Sequence, residues 1–110
     1  MITTHVLDTS LGKAAVAMAV VLEVHRGADW VRLSAGRTDA KGRLTLLEDA
    51  APTGPALYRI TFDTGEYHRR LDIRPFFPEV QVLFSTRDTN EHLHIPLLLS
   101  PFGYSTYRGT

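Results

Sequence analysis

A chain of 110 residues has room for one domain on one core, and 44% apolar with 22% charged residues is the balance of a folded globular protein. Twelve basic residues offset twelve acidic ones, so no net field draws the chain to nucleic acid or to an anionic membrane. With no cysteine, disulfide staples, thiolate chemistry and cysteine-ligated metals are excluded.

Ile2–Asp8 reads as a first strand, closed by Ser10-Leu11-Gly12-Lys13. The apolar run from Ala14 to Leu22 follows Lys13 in the manner of a secretory signal, but Asp8 precedes it, Glu23 ends it and no cleavage site follows. It is also too short for a membrane-spanning helix. The run therefore predicts a buried second strand over Ala15–His25, ended by Gly27-Ala28-Asp29. Trp30–Ser34 is a third strand, and the polar loop Thr38–Arg43 feeds a short fourth at Leu44–Leu47. Tyr58–Asp63 is a fifth strand, and Gly65–Leu71 has room for about two helical turns. Glu79–Phe84, His92–Leu99 and Tyr104–Tyr107 complete the set. Short strands punctuated by turns indicate an all-β sandwich or barrel, in a single domain spanning 1–110.

Side chains alternate along a strand, so parity decides which residues share a face. Leu93, Ile95, Leu97 and Leu99 form a core face, which turns His92, His94, Pro96 and Leu98 outward. In the first strand Ile2 and Val6 point inward, leaving Thr3, His5 and Leu7 on the other face, and in the last strand Ser105 and Tyr107 share one face. A face that carries histidines together with Leu7, Pro96 and Leu98 is too apolar to be merely wet, and calls for a ligand or another subunit. Taken singly, His5 and His94 read as half-exposed surface histidines and Arg43 as a loop cation, as do His25 and His68, on which nothing converges. Arg108, between Tyr107 and Gly109, reads first as a site residue, with a surface ion pair on an edge strand as the lesser reading.

Four motifs carry more. They are Thr4-His5-Val6-Leu7-Asp8, Gly42-Arg43, the run His92-Leu93-His94-Ile95-Pro96-Leu97-Leu98-Leu99-Ser100-Pro101, and the end Tyr104-Ser105-Thr106-Tyr107-Arg108-Gly109-Thr110. Together they resemble the 5-hydroxyisourate hydrolases, the enzyme branch of the transthyretin family, over essentially the whole chain. Those enzymes end in Tyr-Arg-Gly-Ser, so this sequence differs by a hydroxyl-conserving change at Thr110.

The resemblance implies a transthyretin-like β-sandwich of two four-stranded sheets with one short helix between the fifth and sixth strands. It places catalytic roles on His5, Arg43 and His94, and substrate contacts on Ser105, Tyr107, Arg108, Gly109 and Thr110. The implied reaction opens 5-hydroxyisourate at the N1–C6 bond, giving 2-oxo-4-hydroxy-4-carboxy-5-ureidoimidazoline in urate breakdown. Water must be deprotonated, the oxyanion stabilised and a flat polar substrate held in one pose. Histidine suits the first task and the planar fork of arginine the others, with no metal and no cofactor. The resemblance also implies a homotetramer, a dimer of dimers, whose packed sheets cover Leu7 and Leu98 around a central channel. Without an evident signal, the expected compartment is the cytoplasm.

Two other readings compete. A carrier of a small aromatic ligand could use the same channel, although a passive carrier gains nothing from a base beside cationic donors. A metal-dependent enzyme could chelate through His5, His92 and His94, although no acidic residue clearly completes that set.

Overall fold

The computed structural model describes residues 1–48, 55–87 and 91–110. Among them lie β1 (Ile2–Asp8), β2 (Lys13–Ala14), β3 (Ala19–Arg26), β4 (Asp29–Arg37), β5 (Arg43–Leu47), β6 (Ala56–Phe62), α1 (Thr64–Arg70), β7 (Val80–Thr86), β8 (Leu93–Ser100) and β9 (Gly103–Thr106). Two sheets face each other across the core. In one, β1 pairs in parallel with β8, and β8 in turn pairs with β9. The other edge of β1 is shared by β5 along Ile2–His5 and by β2 along Leu7–Asp8. The second sheet is antiparallel throughout, in the order β4-β3-β6-β7.

Strict alternation builds this sandwich. Ile2, Val6, Leu97 and Leu99 point inward from the first sheet and meet Val20, Leu22, Ile60 and Phe62 of the second, all essentially inaccessible to water. Burying side chains of this size contributes about 1.5–3 kcal/mol each. The opposite parity of β1 leaves Thr3, His5 and Leu7 half-buried on the outer face, as the pattern predicted.

The second strand departs from expectation. The apolar run is split between two sheets: β2 stays with β1, and β3 begins only at Ala19. Ala17 sits at φ 58°, in the left-handed region, and turns the chain from one sheet to the other. Thr38 holds this corner, its hydroxyl accepting from the Met18 amide (2.8 Å) and donating to the Ala15 carbonyl (2.7 Å). Ala15 and Met18 are fully buried within the corner, which is why the run reads as unbroken. Elsewhere the differences are of extent: β4 runs on to Arg37, β9 stops at Thr106, and the helix spans Thr64–Arg70.

The helix is capped by Asp63, whose side chain accepts from the Glu66 amide (3.0 Å), and is tied to β1 by Tyr67. The Tyr67 hydroxyl donates to Oδ2 of buried Asp8 (2.7 Å), while Oδ1 accepts from the Ser10 amide, the Ser10 hydroxyl and the Leu11 amide. Burial alone would push the Asp8 carboxyl up; these donors outweigh it and hold the group below its ordinary value. The stabilisation is therefore present at neutral pH and is lost as pH falls through that lowered value. Asp8→Ala strands the Tyr67 hydroxyl and should cost about 3 kcal/mol by urea unfolding at neutral pH, the deficit narrowing in acid.

Candidate active site

Register brings His5, Arg43 and His94 together on two alternate rungs of the first sheet, which share a face. Along one, Arg43 of β5 is opposite His5 of β1, which is opposite Pro96 of β8. Along the other, two residues away, Thr45 is opposite Thr3, Thr3 is opposite His94, and His94 is bridged to Gly109. All the polar members of these rungs lie on the face turned away from the core. They line an open groove of about 570 Å³ whose walls include His5, Arg43, His92, His94 and Thr110.

Each histidine is anchored through one nitrogen. His5 Nε2–H donates to the Lys41 carbonyl (2.8 Å), because a carbonyl can only accept. In the neutral ring the lone pair is therefore on Nδ1. His94 places Nδ1 2.8 Å from the Thr3 hydroxyl, and the same hydroxyl lies 2.9 Å from His92 Nε2. Burial, together with the positive groups of His5, His92 and Arg43, pushes the His94 imidazole below its ordinary value and favours the neutral ring.

Arg43 stands at the end of a tight turn. Asp39 Oδ1 accepts from the Lys41 amide (2.8 Å) and the Arg43 amide (2.9 Å), and the Asp39 amide donates to the Arg43 carbonyl (2.9 Å). The Arg43 and Lys41 amides hold the Asp39 carboxyl below the usual range. Gly42 closes the turn at φ +77°, against the Val6 carbonyl and 3.4 Å, from an added Cβ, to the His5 ring. One turn thus supplies both the cation and the carbonyl that orients His5. Gly42→Ala is strained in φ and strikes the Val6 carbonyl, so it should destabilise by about 3 kcal/mol and also impair activity, read by urea unfolding beside turnover.

The C-terminal residues divide. Thr110 lines the groove, and Gly109 packs on His94, its amide donating to the His94 carbonyl (2.8 Å). Tyr107 and Arg108 line an adjoining cavity of about 250 Å³ behind His94, between β7 and β8. There the Arg108 guanidinium pairs with Glu91 (2.7 Å). Ser105, exposed on β9 opposite Leu98, lies in neither cavity of the single chain. Sequence reasoning missed Asp39 and the Lys41 carbonyl; the Asp-Ala-Lys-Gly-Arg turn chemistry was their only signal. Among the described residues no three His, Asp or Glu side chains gather into a metal-ligating set, and no helix is long and apolar enough to cross a membrane.

A two-sheet sandwich with β1 and β8 paired in parallel, one short helix and a histidine–arginine groove on its outer face defines a transthyretin-like protein. The chain belongs to the HIUase/Transthyretin family, whose model matches residues 2–109. It is 44% identical over 110 residues to a 5-hydroxyisourate hydrolase of Salmonella typhimurium, covering all of this chain and 81% of that protein. Among solved structures, the Klebsiella pneumoniae 5-hydroxyisourate hydrolase is similar at a TM-score of 0.83 and 34% identity, covering 99% of this chain and 97% of that one. Sea bream transthyretin in complex with thyroxine is similar at a TM-score of 0.91 and 28% identity, covering 99% and 94%.

Proposed function

We propose that this chain is a hydrolase that opens 5-hydroxyisourate to 2-oxo-4-hydroxy-4-carboxy-5-ureidoimidazoline in urate degradation. The observation that carries the reading is the meeting of His5, Arg43 and His94 in one groove, on alternate rungs of one sheet. Overall backbone similarity does not choose between hydrolase and carrier, since the thyroxine-bound transthyretin superposes at least as well as the hydrolase. The groove chemistry favours the hydrolase, as does a hydrolase relative at 44% identity.

His94 presents Nε2 and His5 presents Nδ1, the atoms left after each ring is anchored. One removes the proton from the attacking water as its oxygen bonds to the ring C6 carbonyl. The C6–N1 bond then breaks, and N1 leaves with a proton returned by the histidine pair. Arg43 faces the C6 oxygen and carries the charge that develops there. Thr110 and Gly109 close the end of the groove. Tyr107, Arg108 and Ser105 hold the polar rim of the substrate once neighbouring chains complete the site.

That completion is the second part of the proposal: a dimer of dimers. Its support is the placement of β7 and β9 as the outer strands of their sheets, and the half-buried Leu7 and Leu98 on the groove face. Unpaired strand edges and apolar outer faces both favour a copy of the chain. Sedimentation at micromolar concentration should give four chains.

The activity is tested with 5-hydroxyisourate generated in the cuvette from urate, following its ultraviolet decay. Acceleration well above the spontaneous rate supports the hydrolase. A folded protein that leaves the decay unchanged removes the hydrolase reading and favours a carrier.

A further inference from the structure

The hydroxyl of Thr3 lies between two imidazoles, 2.8 Å from His94 Nδ1 and 2.9 Å from His92 Nε2. A hydroxyl has one hydrogen, so it can donate to one of these nitrogens only. With both rings neutral and the Thr3 hydrogen used between them, two chains of donation are open. In one, His94 Nδ1–H donates to Thr3, and Thr3 donates to His92 Nε2. In the other, the direction reverses, and His94 carries its hydrogen on Nε2.

The surroundings select the first. The Nδ1 edge of the His94 ring meets Thr3, and its Cδ2 edge packs on Gly109, where an added Cβ would lie 2.6 Å away. The edge left for the groove is therefore the one bearing Nε2. The groups that line the groove with it are His5 of β1, Arg37 of β4, Arg43 of β5, Thr110 of the tail, His92 just before β8, and the Asp39 carboxylate, which is engaged by the Lys41 and Arg43 amides of its own turn; the charged groups that act on His94 are His5, His92 and Arg43. Towards the fixed positive charge of Arg43, a lone pair is favoured over an N–H dipole pointing its positive end there.

We propose that Thr3, backed by His92, is a positioning residue that holds His94 in its Nδ1–H tautomer and keeps Nε2 free to take a proton. Left alone, an imidazole has no such obligation; the partner of one nitrogen decides the state of the other. Thr3 is able to do this because the parallel register of β1 and β8 sets it directly opposite His94. His92, exposed beside it, then has a role that requires no contact with substrate. The assignment to turnover rests on the hydrolase reading above; the assignment of the tautomer does not.

The experiment uses the full chain with 15N-labelled histidine, reading the His94 tautomer by long-range nitrogen–proton correlation in the absence of substrate, and turnover separately. Wild-type protein and Thr3→Ser should both show Nδ1–H. Thr3→Val keeps the shape and strand preference of the side chain but removes the hydroxyl. It should move His94 towards Nε2–H and lower kcat about tenfold, with KM changed less than about twofold. His92→Leu, at an exposed position, removes the acceptor and frees the Thr3 hydrogen to turn to His94, so it should shift the tautomer in the same direction even if Thr3→Val fails to fold. Nε2–H in the wild-type protein overturns the proposal, as does an unchanged tautomer in either variant. Absence of turnover in the wild-type protein with the tautomer as expected would instead reject the hydrolase reading and leave the positioning intact.

Discussion

His94→Ala and His5→Ala each lower kcat/KM by about 10²–10⁴-fold, the range expected when a general acid or base is removed. On the proposed mechanism the two rings serve one proton transfer, so their losses do not add and the double variant should fall little further. Neither change should unfold the protein. Both side chains are only half-buried on the outer face, away from Ile2, Val6, Leu97 and Leu99, which carry the core. His94→Asn keeps a polar group near the Thr3 hydroxyl and controls for lost packing; it too should be inactive. The pH profile of the wild-type enzyme carries a second expectation. Burial, with His5, His92 and Arg43 nearby, holds His94 neutral to lower pH, so the acid limb of kcat/KM should lie below the ordinary imidazole value of about 6.5. An acid limb above that value, or full activity in His94→Ala, would take His94 out of the proton-transfer step.

The face of the site was readable from alternation alone. Four apolar residues at odd positions in β8 are enough to turn His94 outward, and Ile2 with Val6 does the same for His5. Which residues oppose one another was not readable. The pairing of Thr3 with His94 and of His5 with Arg43 is set by contacts between segments about ninety and about forty residues apart, and no local pattern encodes them. The sheet crossing at Ala17 was hidden for a related reason. Alanine carries no turn signal, and its left-handed φ is imposed by bonds from elsewhere: its amide donates to the Thr38 carbonyl, and Arg37 and Arg70 both donate to its own carbonyl. The loop before Arg43 was recognisable by composition, yet its function as the holder of His5 through the Lys41 carbonyl depends on where the turn docks. At the chain end, a strand drawn through Tyr107 would carry its alternation into the groove. Pairing instead stops at Thr106 and resumes at the single bridge between Gly109 and His94, which leaves Tyr107 and Arg108 in the adjoining cavity.

That bridge makes Gly109→Ala the most informative change outside the histidines. Gly109 does not need its φ freedom; it needs to have no side chain. A methyl group there would lie 2.6 Å from His94 Cδ2 and 3.2 Å from both Cβ and Cγ. Cβ and Cγ are at the root of the side chain and cannot swing aside as a flexible tip could, and Cδ2 moves only if the whole ring turns. Two responses remain. The tail can peel away, breaking the Gly109 amide bond to the His94 carbonyl and withdrawing Thr110 from the groove, or the ring can turn off Thr3 and misdirect Nε2. Either displaces a reacting group by about an ångström, which costs about 10²-fold in turnover. Stability should change by no more than about 0.5 kcal/mol, since one isolated bridge at a chain end carries little of the fold. Gly103→Ala is the matched control: its added methyl would meet only the Ser100 hydroxyl at 3.8 Å, so activity should persist. Gly42→Ala loses activity and stability together, whereas Gly109→Ala should lose activity alone. Full turnover in Gly109→Ala would mean that the tail neither positions His94 nor completes the groove, and catalysis would then rest on β1, β5 and β8.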